Sequence, residues 1–376
     1  MNLWKKVILT ALGLVLVSVA GFCAYGIKMY SDATGTVKGV YESIDRTSKR
    51  RETAVNIDAQ EPFSVLLMGI DTGDLGRTEQ GRSDTTMVVT INPKEKKSTM
   101  ISLDRDILTD IVGYGTEDKL NHAYAFGGAK MAIDTVENLL DIPIDNYVSI
   151  NMKGMKDLID AVGGIEVDNP FEFTLDGITV PKGHIKLDSE TGLAYARMRE
   201  EDPEGDIGRQ RRQREVVEKI VNKVISLDGV AKYRKILDAV KDNVKTDLTW
   251  DNMVDIQKKY MPAFKDIDSL QLEGEGQEIG GIYYQILDPT KLYDIQTNLR
   301  AQLGLPENKK MQAQDNSNYN SYINGNGAGS YEYGGSGVSD ASNSYNYTQD
   351  AAGVDPNNYT DQNVIAEETP YSGDGY

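Results

Sequence analysis

A single cysteine, Cys23, and only two histidines occur in this chain of 376 residues. One thiol can form no disulfide within the chain and no cysteine-based metal site, and the histidines, His122 and His184, leave little room for zinc. Basic charge is the minority sign, 40 Lys and Arg against 58 Asp and Glu, for a formal net charge of -18. General nucleic-acid binding rests on a broad basic surface that neutralises phosphates, so this balance argues against it. No GxxxxGK[ST] nucleotide loop is present, nor a GxSxG elbow or a Cys–His pair, which disfavours P-loop chemistry and acyl transfer by the familiar nucleophiles. Residues 311–376 lack Lys, Arg, Leu, Phe and Trp and are crowded with Asn, Ser, Gly, Asp and Tyr. Such a composition cannot bury enough apolar surface to fold, so 306–376 read as a disordered tail. Its nine tyrosines suit either a solvated spacer or adhesive sites for a partner or for carbohydrate.

What is present begins with "VILTALGLVLVSVAGFCAYGI", residues 7–27, a run of 21 positions without a charge. About 20 apolar residues span a bilayer as a helix, so this segment is expected to anchor the chain in the cell membrane. Lys5 and Lys6 before it favour a cytoplasmic N-terminus at 1–6 and an exported remainder, although Lys28 and Lys38 weaken the bias. A cleaved signal peptide with "SVA" at its cleavage site is the competing reading, but the apolar run continues past it. Lipid attachment at Cys23 is disfavoured by bulky Phe22 just before it.

Residues 28–61 are polar with a faint stripe of Val37, Val40, Tyr41 and Ile44 and read as a stalk. A folded domain is expected over 62–305. The runs "FSVLLMGID", "TTMVVTINP" and "STMISLD" predict neighbouring strands, with a glycine-rich loop, "TGDLGRTEQGRSD", between the first two. Then come a helix over 121–140, a strand "NYVSIN", a helix over 152–162 and a strand "GIEVDN". Helices follow over 207–225 and from Val230, with a break near "TDLTWDN", then strands "IDSLQLEG" and "IYYQILDP" and a helix near 290–303. Strands alternating with helices indicate an α/β fold, a central sheet flanked by helices.

Against this acidic background, "YARMREEDPEGDIGRQRRQRE" gathers six arginines and no lysine at 195–215. Arginine offers a planar fork matched to phosphate and carboxylate, whereas lysine is a mobile point charge. On a helix after Asp206, Val216, Val217, Ile220, Val221 and Val224 form an apolar stripe. Arg209 and Gln213 project from the same side, Arg211 and Arg214 point away, and Arg212 sits at the edge. An inward-facing Arg209 at the opening turn of a helix suits an anion, since backbone donors are exposed there. An ion pair with Asp206 would satisfy it equally. Asp71 ends the first strand and "GRSDTT" opens the second, which brings Arg82 and Asp84 near Asp71 if the strands pair. Two carboxylates with water and phosphate oxygens suit Mg²⁺. Asp84 also fits a turn or cap. "SLDRD" adds Arg105 between Asp104 and Asp106, where local ion pairing is the plain alternative. Together these segments suggest a site for two adjacent phosphates.

With these residues in view, the chain resembles the LytR-CpsA-Psr family of cell-wall proteins. The resemblance is carried in order by "LLMGID", "GRSDTTMVV", "SLDRD", "KLNHAYAFGG", "LIDAVGGIEV", "LAYARMR" and "GDIGRQRRQ", over about residues 63–226. Asp104 departs from it, since many members carry proline there. The resemblance implies a mixed sheet flanked by helices with an apolar tunnel for lipid. It also implies a phosphotransferase outside the cell that moves a glycopolymer, such as teichoic acid or capsule polysaccharide, from a polyprenyl diphosphate carrier to peptidoglycan through a phosphodiester. Carried onto matching positions, Asp71 and Asp84 would hold Mg²⁺, and Arg82, Arg105, Arg197, Arg199, Arg209 and Gln213 would grip the diphosphate. Asp206 would orient the arginines. Catalysis would fall to Asp84, Arg105 and Asp106, with Asp84 or Asp106 taking the acceptor's proton. A diphosphatase acting on the same lipid, or a wall-binding protein acting through its tail, are the rival readings.

Overall fold

The computed structural model describes residues 40–46, 48, 50–71, 81–225, 236 and 241–307. The expected membrane segment, the stalk up to residue 39, the glycine-rich loop over 72–80, nearly all of the helix from Val230 and the tail beyond 307 lie outside the described residues.

Three apolar runs become the centre of the sheet: β1 (Phe63–Ile70), β2 (Ser83–Asn92) and β3 (Lys97–Leu103). They are nearly continuous in apolar character because both faces are covered, which removes the alternation of a half-solvated strand. Beyond them come β4 (Leu108–Asp110), β5 (Glu117–Lys119), α1 (His122–Leu140), β6 (Asn146–Asn151) and α2 (Met152–Ala161). Four short strands follow, β7 (Ile165–Asn169), β8 (Phe173–Leu175), β9 (Ile178–Val180) and β10 (Gly183–Leu187), then α3 (Ser189–Arg197) and α4 (Asp206–Ile225). The described fold closes with β11 (Val244–Thr246), α5 (Trp250–Lys259), a 3₁₀ turn, β12 (Ile267–Leu272), β13 (Glu275–Ile279), β14 (Ile282–Ile286) and α6 (Pro289–Gln302).

The six-stranded sheet has the order β11-β6-β1-β2-β3-β12. Pairing is antiparallel at β11–β6, β1–β2 and β2–β3 and parallel at β6–β1 and β3–β12, so β1, β3, β6 and β12 all run one way. The sheet is mixed, as expected. Leu66, Met68 and Ile70 of β1 pack with Met131, Val136 and Leu140 of α1 and Leu299 of α6 on one face. Phe63 and Val65 pack with Met87, Leu248 and Tyr260 on the other, where Val217 of α4 also reaches. A second core joins α2, β7, α3 and the Val216 and Ile220 stripe of α4.

Two expectations need correction. The stalk assignment fails from Val40 on, because that stretch is packed onto the domain. Val40 and Ile57 are buried, Arg46 pairs with Glu137 at 3.3 Å, Arg51 pairs with Asp145 at 2.9 Å, and the Tyr260 hydroxyl donates to the Ile57 and Glu61 carbonyls. The polar residues read as solvated spacer are partners for acids on α1 and before β6. The helix expected over 121–140 is also interrupted, since Gly127 and Gly128 take non-helical conformations within it.

Candidate active site

The carboxyl ends of β1 and β3 and the start of β2 meet the opening turn of α4, and ligand sites in α/β sheets commonly lie beyond the carboxyl ends of strands. A cleft there is lined by Asp84, Thr85, Thr86, Ser102, Leu103, Arg105, Arg209, Gln210 and Gln213. The start of α4 is set by two glycines. Gly205 takes a positive φ of 56° in the turn before the helix. Gly208 leaves space for the Asp202 carboxylate, since a Cβ at 208 would stand 1.9 Å from its Oδ2.

From that start, Asp206, Arg209, Gln210 and Gln213 share one sector of the helix. Arg209 Nη2 lies 2.6 Å from Asp206 Oδ1, and the Arg209 side chain is only 11% exposed. Its Nε is buried with no hydrogen-bond partner among the described residues. Burial, reinforced by the charges of Arg105 and Arg199, lowers the Arg209 pKa despite Asp206 and Asp84, yet a guanidinium stays protonated. Across the cleft Arg105 Nη1 sits 3.2 Å from Asp84 Oδ1 and its Nε 3.6 Å from Asp106. Burial lowers the Arg105 pKa, but Asp84, Asp106 and Asp206 outweigh it, so the net shift is upward. Lys119 holds the other side of Asp106 at 2.8 Å. Burial also raises Asp206, yet Arg209, Gln210, Asp104 and Arg105 bring it below its ordinary value.

The sequence-predicted residues divide accordingly. Asp84, Arg105, Arg209 and Gln213 line the cleft, and Asp206 and Asp106 ion-pair with its arginines. Arg199 is at the rim, half-exposed, with Nε 3.9 Å from Asp206. Asp71 and Arg82 stand at the same end of the sheet, where the Asp71 N–H donates to the Arg82 carbonyl at 3.1 Å, and each residue has a further interaction. Arg197 is not brought in: it pairs with Asp176 at 2.8 Å, in the turn between β8 and β9. Helix counting also misplaced two arginines. Arg212 is buried, paired with Asp202 and bonded to the Tyr195 and Met198 carbonyls. Arg214 does not point away; it is buried beside Gln271 of β12. Both are drawn inward because α4 packs on two layers at once, α3 and the sheet.

Two contributors, Gln210 and Lys119, escaped the sequence reading. Gln210 lines the cleft and its amide nitrogen donates to both Asp104 Oδ2 and Asp206 Oδ2 at 2.9 Å. Counting one turn on from Asp206 would have found it. Lys119 carried no such signal, because the β4–β5 pair is defined only by the folded chain, and Asp104, already seen beside Arg105, is tied to α4 only by the fold.

Mg²⁺ takes hard oxygen ligands and is commonly held by one or two carboxylates plus substrate phosphates and water. Asp84 fits that role: Oδ1 faces Arg105 while Oδ2 has no hydrogen-bond partner among the described residues. Asp71 adds a second carboxylate from the neighbouring strand end. Among the described residues no cluster of three or more His, Cys, Asp or Glu is placed to hold a metal, so phosphate oxygens and water would complete the shell.

Comparison with known proteins fits this geometry. The model of the LytR_cpsA_psr family matches residues 27–301. A polyisoprenyl-teichoic acid–peptidoglycan teichoic acid transferase TagU from Enterococcus faecalis is 51% identical over 303 residues, covering 81% of this chain and 99% of that protein. A solved structure of a transcriptional regulator from Enterococcus faecalis is 71% identical, with TM-score 0.66, covering 72% of this chain and 98% of its own. A LytR-CPS2A-psr family protein, YwtF (TagT), solved with bound octaprenyl pyrophosphate lipid, is 31% identical with TM-score 0.57, over 70% of this chain and 100% of its own.

Proposed function

The chain belongs to the LytR-CpsA-Psr family, and on that premise we propose that it transfers teichoic acid from a polyprenyl diphosphate carrier to peptidoglycan through a phosphodiester bond. The observation that carries the reading is Arg209: a buried guanidinium at a helix start, facing Arg105 across the cleft, with an Nε that no acceptor among the described residues satisfies. Burying such a group is costly unless an anion arrives to use it. The names of the teichoic acid transferase and of the lipid-bound relative support the same substrate class.

In the reaction a peptidoglycan hydroxyl attacks the phosphorus nearest the polymer. A new P–O bond forms, the bond to the bridging oxygen breaks, and polyprenyl phosphate leaves. Arg105 and Arg209 neutralise charge on the phosphate oxygens, and donors aimed at developing charge are commonly worth 10²–10³ in rate. The hydroxyl proton passes to a carboxylate. With Asp84 Oδ2 turned to the ion, Asp106, held between Lys119 and Arg105, is the carboxylate left beside the cleft to take it. Asp84 and Asp71 would hold Mg²⁺ from the protein side, and the ion when bound supplies further neutralisation of the phosphates. Arg82 and Arg199 assist from the rim. The apolar run at 7–27 would keep this site beside the membrane that carries the donor, raising its effective concentration.

The test is the full chain in lipid vesicles, supplied with lipid-linked polymer and wall fragments. Wall-bound product is expected, with Arg209→Ala at least about 10²-fold slower. Release of phosphate-terminated polymer without wall-bound product would identify a diphosphatase and refute transfer. Deleting 311–376 is expected to leave transfer largely intact; its abolition would point to a wall-binding role.

A further inference from the structure

Asp104 is buried, with 3% of its surface exposed, at the turn that follows β3. Its Oδ1 accepts the Asp106 N–H at 2.8 Å, which shapes the loop carrying Arg105 and Asp106. Its Oδ2 accepts from Gln210 at 2.9 Å, and the same amide nitrogen reaches Asp206 Oδ2 at 2.9 Å. Asp206 in turn holds Arg209. The Asp104 N–H donates to the Leu272 carbonyl of β12 at 3.2 Å. One carboxyl thus ties the loop of one cleft arginine to the helix turn of the other. Asp104 itself does not line the cleft; it reaches it through Gln210 and the loop of Arg105.

We propose that Asp104 is a positioning residue for diphosphate binding: clamped with Asp206 on the single Gln210 amide, the two carboxyls share a proton that is taken up as the anion enters between Arg105 and Arg209. This rests on the transferase reading of the same cleft.

The surroundings give the pair its direction. Burial pushes Asp104 up to about 6, and Asp206 and Asp106 add to the rise while the Asp106 N–H opposes it. Arg105 stands on its own turn, Asp206 and Arg209 face it from α4, and Tyr283 of β14 is near enough that, besides burial, Asp104, Asp106 and Asp206 all raise its phenol. An arriving anion adds negative charge beside a carboxyl and favours its protonated form. Binding therefore takes up a proton, and affinity falls as pH rises through the titration of Asp104. Each unit by which the anion raises that pKa makes affinity about tenfold weaker above the transition than below it. Among the described residues Gln210 Oε1 is buried without a partner, so the amide can turn to accept from an asparagine at 104, whose second N–H then serves Asp206 Oδ2 in place of the Gln210 nitrogen.

The experiment is calorimetric binding of a short-chain polyprenyl diphospho-N-acetylglucosamine, whose phosphates stay ionised throughout, to the full chain in detergent from pH 5 to 7.5. Wild type should bind about tenfold more weakly at the upper end, with proton uptake revealed by buffers of different ionisation enthalpy. Asp104→Asn should be flat in pH, near the wild-type affinity at pH 5, and take up no proton. A slope that survives in Asp104→Asn overturns the proposal. So does wild-type binding without proton uptake, which decides the matter even if the variant does not fold. Failure of wild type to bind the probe at any pH would instead refute the transferase reading, and this inference with it.

Discussion

Replacing Arg212 by methionine separates structural from functional arginines in the cluster. Its guanidinium is 3% exposed and the Asp202 carboxylate it pairs with 1%. It also donates to the Tyr195 and Met198 carbonyls and lies over the Tyr195 ring, so one side chain fastens the end of α3 to α4. Methionine restores volume but leaves Asp202 buried with its counter-charge gone. Removing one partner of a buried pair costs about 3–5 kcal/mol. At about 2–4 °C per kcal/mol for a domain of this size, the melting temperature should fall by roughly 6–20 °C. Burial raises the Asp202 pKa, but the Arg212 hydrogen bond, the Glu204 N–H and the arginine charges hold it below the ordinary value. A depressed carboxyl stabilises above its unfolded pKa and loses that contribution as pH falls through the folded one. The gap between wild type and variant should therefore narrow on acidification below about pH 4. Thermal unfolding by circular dichroism at pH 7 and pH 3.5 reads both effects. A melting temperature within about 2 °C of wild type at pH 7, against the expected fall, would refute the assignment of Arg212 to the fold.

Arg209→Ala should do the reverse, losing diphosphate affinity and activity with little loss of melting temperature, because it removes a desolvated cation with an unsatisfied Nε. Unfolding and lipid binding measured on one preparation check this. Gly208→Ala should cost about 3 kcal/mol or more, since its Cβ would collide with Asp202 Oδ2. Combined with Arg212→Met it should add little further, because both break one lock, and a double-mutant cycle in urea tests that. Chelating divalent ions should stop transfer and Mg²⁺ restore it, with Asp84→Ala raising the half-saturating Mg²⁺ concentration at least about tenfold. An unchanged Mg²⁺ titration would remove Asp84 from the ion.

Sequence alone determined the layers and the chemistry of this protein. Apolar runs long enough for buried strands, a 3.6-residue stripe on α4, and arginine gathered without lysine in an acidic chain each carry a local physical signal, and β1, β6 and α4 lie where those signals put them. Tertiary structure decided which arginine does what. Arg197, Arg209, Arg212 and Arg214 are one residue type on consecutive helices, yet one pairs with a turn, one faces the cleft, one locks α3 to α4 and one lies against β12. Apart from Arg209, whose acid Asp206 lies on the same helix turn, their roles depend on partners distant in the chain, such as Asp202 for Arg212, Asp176 for Arg197 and Gln271 for Arg214. No periodicity encodes such partners, because a guanidinium is satisfied by whatever acceptor the packing of neighbouring layers delivers to it.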